Sequence, residues 1–250
     1  MSNPLPFPLQ RNPVNNEIVL PLRKHKNIVL TPTRQEDSAP LVEYFNDVRV
    51  YHWLASPPRP FLKGKLPKHA EELLGNLKAL FDVALSQLEE VELGNSPTSR
   101  LYDGAPVGCI RELQEDGSDL LIGIIKIRRD NFGEHLHTDS TNWENKIKNE
   151  MENTKLERAT DQDTKGSLAP SHHNKGIMTD AVDTLLQDWA VPHMAVRRVI
   201  VGAFSENIAS IKMFEKNGFR RTRFIESYRE VRGEMRNLQL LEREYDIEES

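Results

Sequence analysis

Between Lys68 and Leu93, apolar residues return every three or four positions. Leu73, Leu74, Leu77, Leu80, Phe81, Ala84, Leu85 and Leu88 would share one face of a long amphipathic helix. Upstream, Ile28-Val-Leu30 has the composition of a first strand, stopped by Thr31-Pro32. Thr33-Arg-Gln-Glu36 is a capping-box pattern, which predicts a helix running on through Phe45. The run Pro57-Pro-Arg-Pro60 then enforces a loop. Val107 to Leu113 and Asp119 to Arg128 are strand-like segments divided by the turn cluster Glu115-Asp-Gly-Ser118, so an antiparallel hairpin is predicted there.

The pattern sharpens after Pro170. Thr179 to Val191 predicts a helix closed before Pro192, with Ala181, Val182, Leu185, Leu186 and Trp189 on its apolar side. Arg198-Val-Ile-Val-Gly-Ala-Phe204 is a β-branched run of strand length. Ser205 or Asn207 can cap the next helix, which runs to about Asn217 and is stopped by Gly218. Phe219 to Glu226 and Met235 to Leu241 form a closing pair of strands. Helices interleaved with mainly antiparallel strands make the fold class mixed α/β.

The chain's 250 residues suffice for one large domain, expected over residues 27–243. Residues 1–26 are rich in Pro and Asn up to about Leu22 and read as an extended arm, with ordered structure beginning at Asn27. Residues 138–162 form a polar insertion whose sparse apolar residues include Trp143, Ile147, Met151 and Leu156. Their spacing leaves two readings open, a short exposed helix or disorder. Residues 244–250 end the chain as an acidic tail.

Composition narrows the chemistry. The formal net charge is −5 and the isoelectric point about 5.9, so the basic footprint of a nucleic-acid binder is missing. A cationic partner suits that balance better. The longest apolar stretch, Leu120-Leu-Ile-Gly-Ile-Ile125, is strand-sized, so no membrane partner is expected. The single cysteine, Cys109, has no intrachain disulfide partner and sits in a small-residue strand, which points to a reducing compartment, cytoplasmic in the first place and nuclear as the alternative. His135 and His137 form one histidine pair and His172 and His173 another, but neither has helical spacing or a cysteine cluster beside it; no metal is assigned.

Two segments carry chemistry. His173-Asn-Lys-Gly-Ile-Met-Thr-Asp-Ala181 is a Gly-containing turn feeding straight into a helix, where backbone N–H groups at the positive end of the helix dipole can receive a pyrophosphate. Ser205-Glu-Asn-Ile-Ala-Ser-Ile-Lys-Met-Phe-Glu-Lys-Asn-Gly-Phe219 resembles the motif of the GNAT acetyltransferases: an Asn, a small residue three positions on, then an aromatic-Glu-Lys run ending in Gly-Phe. His173-Asn-Lys-Gly-Ile-Met178 falls where that superfamily has its Arg/Gln-x-x-Gly-x-Gly/Ala loop, and Thr179-Asp-Ala181 resembles the Thr-Glu-Ala of the branch related to ribosomal-protein N-terminal acetyltransferases. The close resemblance covers about residues 165 to 226, and a looser one begins at 27.

The resemblance implies a GNAT-like fold in which a splayed strand pair admits the pantetheine arm of acetyl-CoA while the loop grips its pyrophosphate. The cofactor-binding residues it implies are His173, Asn174, Lys175, Gly176, Ile177, Met178, Thr179, Asn207, Ser210 and Phe214. The acceptor would be a primary amine, either a protein N-terminus or a small amine, attacking the thioester directly in a ternary complex. Asp163 and Glu134 are the carboxylate candidates for deprotonating it, and Ser210 is a candidate proton donor. The chain departs from the pattern at His173, at Met178 where a second small residue is usual, at Gly166 where relatives often carry an aromatic, and at Phe214 where many have a proton-donating Tyr. Those departures motivate the rival reading, a degenerate member that binds CoA without turnover and serves as an interaction or sensing module.

Overall fold

The computed structural model of the chain describes residues 3–55, 60–61, 69–129 and 161–245. These separate into two compact units, each assembled from two stretches: Met1–Lys126 with Lys165–Met194, and Ile127–Thr164 with Ala195–Ser250. The sequence suggests one domain from 27 to 243, and neither unit is a continuous run of it. The architecture is mixed α/β as expected, with antiparallel ladders throughout except for one short parallel pairing.

In the first unit the strands β1 (Gln10–Arg11), β2 (Ile18–Pro21), β3 (Ile28–Thr31), β4 (Cys109–Leu113) and β5 (Asp119–Arg129) follow one another in an antiparallel sheet. The predicted first strand and the predicted hairpin are β3, β4 and β5. Residues 3–22 are not a loose arm. Leu20 and Pro21 pair with Leu30 and Val29, and Leu9, Leu20 and Leu22 are buried. Asn12, Pro13, Asn15 and Asn16 belong to a tight turn between β1 and β2. There Asn16 has φ 59°, and the side chains of Asn12 and Asn15 accept from the backbone N–H groups of Val14 and Glu17.

Three helices follow β3: α1 (Ser38–Phe45), α2 (Val48–Tyr51) and α3 (His69–Glu92). The predicted capping box is displaced by one residue. Asp37, not Glu36, turns back to accept from the backbone N–H of Arg34 at 2.7 Å, and a 3-10 turn over Gln35–Asp37 precedes α1. The predicted apolar face of α3 is real: Leu74, Leu77 and Phe81 pack with Leu41 and Phe45 of α1 over Cys109, Leu121 and Ile124 of the sheet. Burying each such Leu or Phe stabilises the unit by about 1.5–3 kcal/mol. Cys109 lies fully inside this cluster, where burial pushes its thiol pKa well up, so the residue has no thiolate to offer as a nucleophile.

The same carboxylate of Asp37 has a second partner. Arg111 on β4 reaches it through Nη2 at 2.6 and 2.8 Å and donates through Nε to Thr31 Oγ1 at 2.8 Å. Both members of the pair are buried, so neither has water to fall back on.

The predicted helix after Pro170 runs longer than expected. α4 (Ile177–Thr184) continues as a π-helical segment over Leu185–Ala190 and then as α5 (Val191–Met194), so the helix passes through Pro192 rather than closing before it. Proline breaks a helix by withholding an i→i−4 bond, but the π segment has already shifted the ladder: Val191 N–H bonds to Leu186 O, five residues back. Ala181, Val182, Leu185, Leu186 and Trp189 are all buried, as their spacing predicts, and Trp189 Nε1 donates to Gly104 O at 3.0 Å.

In the second unit β7 (Arg198–Phe204) pairs antiparallel with β9 (Glu234–Glu244), which in turn pairs with β8 (Arg220–Val231). Asp161–Asp163, the start of β6 (Asp161–Leu168), pair in parallel with Arg198–Ile200. α6 (Ile208–Lys216) joins β7 to β8, capped by Asn207 and stopped at Gly218, φ 78°, as predicted. β8 runs past the predicted end at Glu226 because the ladder shifts between Ile225 and Arg229. Ser227 is left-handed there, at φ 47°, and its N–H is taken by Asn237 Oδ1. β9 likewise continues through Glu242 to Glu244, opposite Ile200 to Arg198, so the first residue of the supposed acidic tail is a strand residue. Phe204, Ile225, Val231, Leu238 and Leu240 form this unit's core.

Asp37→Ala would take the closer of two carboxylates from the buried Arg111 guanidinium, leaving it Thr31 Oγ1 and Asp119 Oδ1 at 3.4 Å, so the variant is expected to lose up to about 3–5 kcal/mol of unfolding free energy. Urea denaturation of the variant and the parent chain measures the difference; a loss under about 1 kcal/mol would mean that water reaches the pair.

Candidate active site

The loop between β6 and α4 is built for backbone display. Pro170–His172 make a 3-10 turn, Asn174 is left-handed at φ 60°, and Gly176, the residue before α4, is left-handed at φ 78°. Glycine takes that conformation without strain, and a Cβ there would approach only His25 Cε1, at 3.8 Å. Among the described residues, the backbone N–H groups of Asn174, Lys175, Gly176, Ile177, Met178 and Thr179 have no partner, while the N–H of Asp180 bonds Gly176 O and closes the first helical turn. Donors left free on a loop and a helix N-terminus are of the kind that can receive an anion. Asn174, Lys175 and Gly176 are exposed, so an anion can reach them.

Three histidines fasten this loop. The ring of His173 donates through Nε2 to Leu168 O at 2.8 Å, tying the loop to the end of β6. His172 is buried; its Nδ1 lies 2.9 Å from Ser171 Oγ, and its Nε2 reaches Glu112 Oε2 at 3.3 Å. That bond from His172 is the main reason the Glu112 carboxyl is held below the usual carboxylate range. His25, from the loop between β2 and β3, touches Lys175 O through Nε2 at 3.1 Å and Asp180 Oδ2 through Nδ1 at 2.8 Å. Asp180 is buried and also accepts the backbone N–H of Lys24 at 3.0 Å and of His25 at 2.8 Å. The sequence offered no signal for His25, because residues 1–26 read as outside the domain.

Two departures from the family pattern explain each other. A Cβ on Gly166 would come 3.0 Å from Ile124 O, 3.2 Å from Met178 Sδ and 3.3 Å from its Cε, so the methionine, beside the β5 backbone, occupies part of the space that a side chain on β6 would fill. Met178 therefore does not crowd the loop, as a large residue in a small-residue position should. β6 also lies close to β5 here: a Cβ on Gly123 would fall 2.5 Å from Ser167 O, so only glycine permits the approach.

The remaining predicted site residues lie in the second unit or outside the described chain. Asn207 Oδ1 accepts from Ser210 N–H at 3.1 Å, so that side chain is spent as the helix cap. Ser210 is half-buried in the first turn of α6, and Phe214 is buried with its ring edge-on to Phe219, centroids 5.2 Å apart. Asp163 lies in β6 opposite Ile200 of β7. Glu134, like His135, His137 and residues 138–160 of the polar insertion, falls outside the described residues. Among the described residues no three His, Cys, Asp or Glu side chains group as a metal site, and no helix is long and apolar enough to cross a membrane.

The fold is that of a known class. The acetyltransferase (GNAT) domain model matches residues 27–220, and the chain belongs to that family of acetyltransferases, whose acyl donor is acetyl-CoA. No curated protein matches the chain by sequence. Among solved structures, a GNAT-family acetyltransferase from Bacillus anthracis is similar at 14% identity and a TM-score of 0.57, over 88% of this chain and 96% of that one. The ribosomal-protein-S5-alanine acetyltransferase of Vibrio fischeri is similar at 15% identity and a TM-score of 0.54, over 90% and 97%. The spermidine N-acetyltransferase of Vibrio cholerae, solved with CoA and spermine, is similar at 10% identity and a TM-score of 0.53, over 87% and 95%.

If Met178 fills the space above Gly166, Gly166→Phe should destabilise the chain by about 1–3 kcal/mol. Adding Met178→Ala should restore part of that loss, with a coupling above about 0.5 kcal/mol in thermal unfolding of the two single variants and the double variant. Strict additivity would show that the two side chains do not share the space.

Proposed function

We propose that the chain transfers an acetyl group from acetyl-CoA to a primary amine, on a protein N-terminus or a small molecule, by direct attack within a ternary complex. The observation that carries the cofactor half is the row of six unpartnered N–H groups over residues 174–179. They would receive the pyrophosphate of CoA, and they require no particular side chain to do so. His173 in place of Arg or Gln is then a change of scaffold rather than of ligand, since its ring holds Leu168 O.

The chemistry asks little more of the protein than position. The neutral amine nitrogen adds to the thioester carbonyl, the tetrahedral intermediate collapses, the C–S bond breaks, and the sulfur leaves as CoA thiolate while the nitrogen loses its proton. A thiol of ordinary pKa, about 8.5, leaves readily without a strong acid. Phe214 has no proton to give, and Ser210 is the nearest family-motif hydroxyl that could supply one. Asp163 and Glu134 remain the proposed routes for the amine's proton. The acceptors named for two of these neighbours, a ribosomal-protein alanine and spermidine, carry primary amines, which supports the acceptor class without choosing between its members.

The same missing Tyr favours a second reading, a CoA-binding module without turnover. Release of free CoA across a panel of peptides and polyamines separates the two. Turnover is expected with at least one amine, and Phe214→Tyr should leave it unchanged or raise it modestly. Binding of CoA without release in any case would favour the module.

The cofactor loop has its own test. Asn and Asp are equal in size and both tolerate a left-handed backbone, so Gly176→Asn and Gly176→Asp differ essentially in charge. The Asp variant is expected to bind acetyl-CoA at least about tenfold more weakly than the Asn variant in calorimetric titration at low salt. Equal affinity would remove the pyrophosphate from this loop.

A further inference from the structure

The three histidines around the loop differ in what their hydrogen bonds require. His173 has one acceptor partner, Leu168 O. His172 faces a carboxylate on one side and a hydroxyl on the other, and a hydroxyl can donate. A neutral ring satisfies both sites. His25 alone lies between two groups that can only accept, the Asp180 carboxylate at 2.8 Å and the Lys175 carbonyl at 3.1 Å. Both ring nitrogens must carry hydrogen for both bonds to exist, and that describes the imidazolium.

We infer that His25 is a proton-linked positioning residue: in its doubly protonated form it holds the Lys175–Gly176 peptide in place for the CoA pyrophosphate, and loss of one proton releases that hold. The inference rests on the reading of residues 174–179 as the pyrophosphate loop. When the ring is neutral, its remaining hydrogen stays on Nδ1 against Asp180, which is buried and fixed by two backbone N–H groups. The bond given up is then the one to Lys175 O. Protonation also sets a positive charge beside Gly176, whose Cβ position is 3.8 Å from His25 Cε1.

The elements around the ring carry further charges. Its own loop carries Arg23, Lys24 and Lys26, the cofactor loop carries Lys175, and α4 with its π-helical continuation contributes Asp180, Asp183 and Asp188. Arg23 engages the last two, at 3.3 Å to Asp183 and 3.7 Å to Asp188, which leaves Asp180 as the counter-charge in contact with the ring.

Two substitutions separate the two ring nitrogens. The amide nitrogen of His25→Gln can take the place of Nε2 and donate to Lys175 O at any pH; that of His25→Asn stands near Nδ1 and reaches only Asp180. Calorimetric titration of the full chain with CoA should show the wild-type Kd rising roughly 5–10-fold more than that of His25→Gln between about pH 6 and about pH 8. Titration of the CoA phosphates is common to both proteins and cancels in the comparison. His25→Asn should bind at every pH about as weakly as the wild type does at the alkaline end. Imidazole nitrogen resonances of the ligand-free protein give a second readout: the doubly protonated ring and the Gly176 amide should titrate together. Parallel pH profiles for wild type and His25→Gln would overturn the linkage while leaving the cofactor site standing. If neither protein binds CoA at any pH, the cofactor reading fails, and the ring titration decides the loop contact alone: a Gly176 amide that ignores the ring's proton overturns it.

Discussion

A buried carboxylate must find hydrogen-bond donors for both oxygens, and Asp180 finds them in a single place, the loop between β2 and β3. The backbone N–H groups of Lys24 and His25 and the ring of His25 converge on it. Leaving any of these groups without a partner in the interior would cost on the order of 1–3 kcal/mol, so the arrangement is strongly determined. It fixes the first turn of α4 against the N-terminal hairpin, and through His25 it fixes the carbonyl of Lys175 as well. The N–H groups of residues 174–179 then point where they do because their carbonyl neighbours are held from behind. The candidate site is in this sense the exposed side of a buried carboxylate's hydrogen bonds.

Much of the fold was legible because periodicity reports burial directly. The face of α3, the β4–β5 hairpin, the Asn207 cap and the Gly218 stop all follow from local rules with one physical solution each. The errors share a different origin. Residues 1–22 look like an arm because Pro and Asn signal irregular backbone, yet here they make a tight turn whose flanks bury Leu9, Leu20 and Leu22. Pro192 looks like a helix end because the rule assumes an α-helical ladder, and the π segment removes that assumption. In the first case the burial of distant leucines, and in the second a shift of the helix's own ladder, overrode the local rule.

The proposed site divides in the same way. Its loop could be located from the Gly-containing turn before a helix, since that chemistry belongs to the backbone and leaves a short, local trace. What fastens the loop could not, because His25, Glu112 and Leu168 lie elsewhere in the sequence and carry no motif. Met178 and Gly166 each look like a defect in isolation. Side by side they conserve volume: the methionine stands where the strand has no side chain.

The bonds from the β2–β3 loop to Asp180 connect positions 155 and 156 residues apart. A contact of that span cannot form until nearly three quarters of the chain has left the ribosome, whereas the β2–β3 hairpin, with its partners a few residues apart, can close early. The loop before α4 therefore takes its shape late, against a hairpin that has been waiting for it, and if that loop holds the coenzyme, the nascent chain has strands paired before it has anywhere to place one.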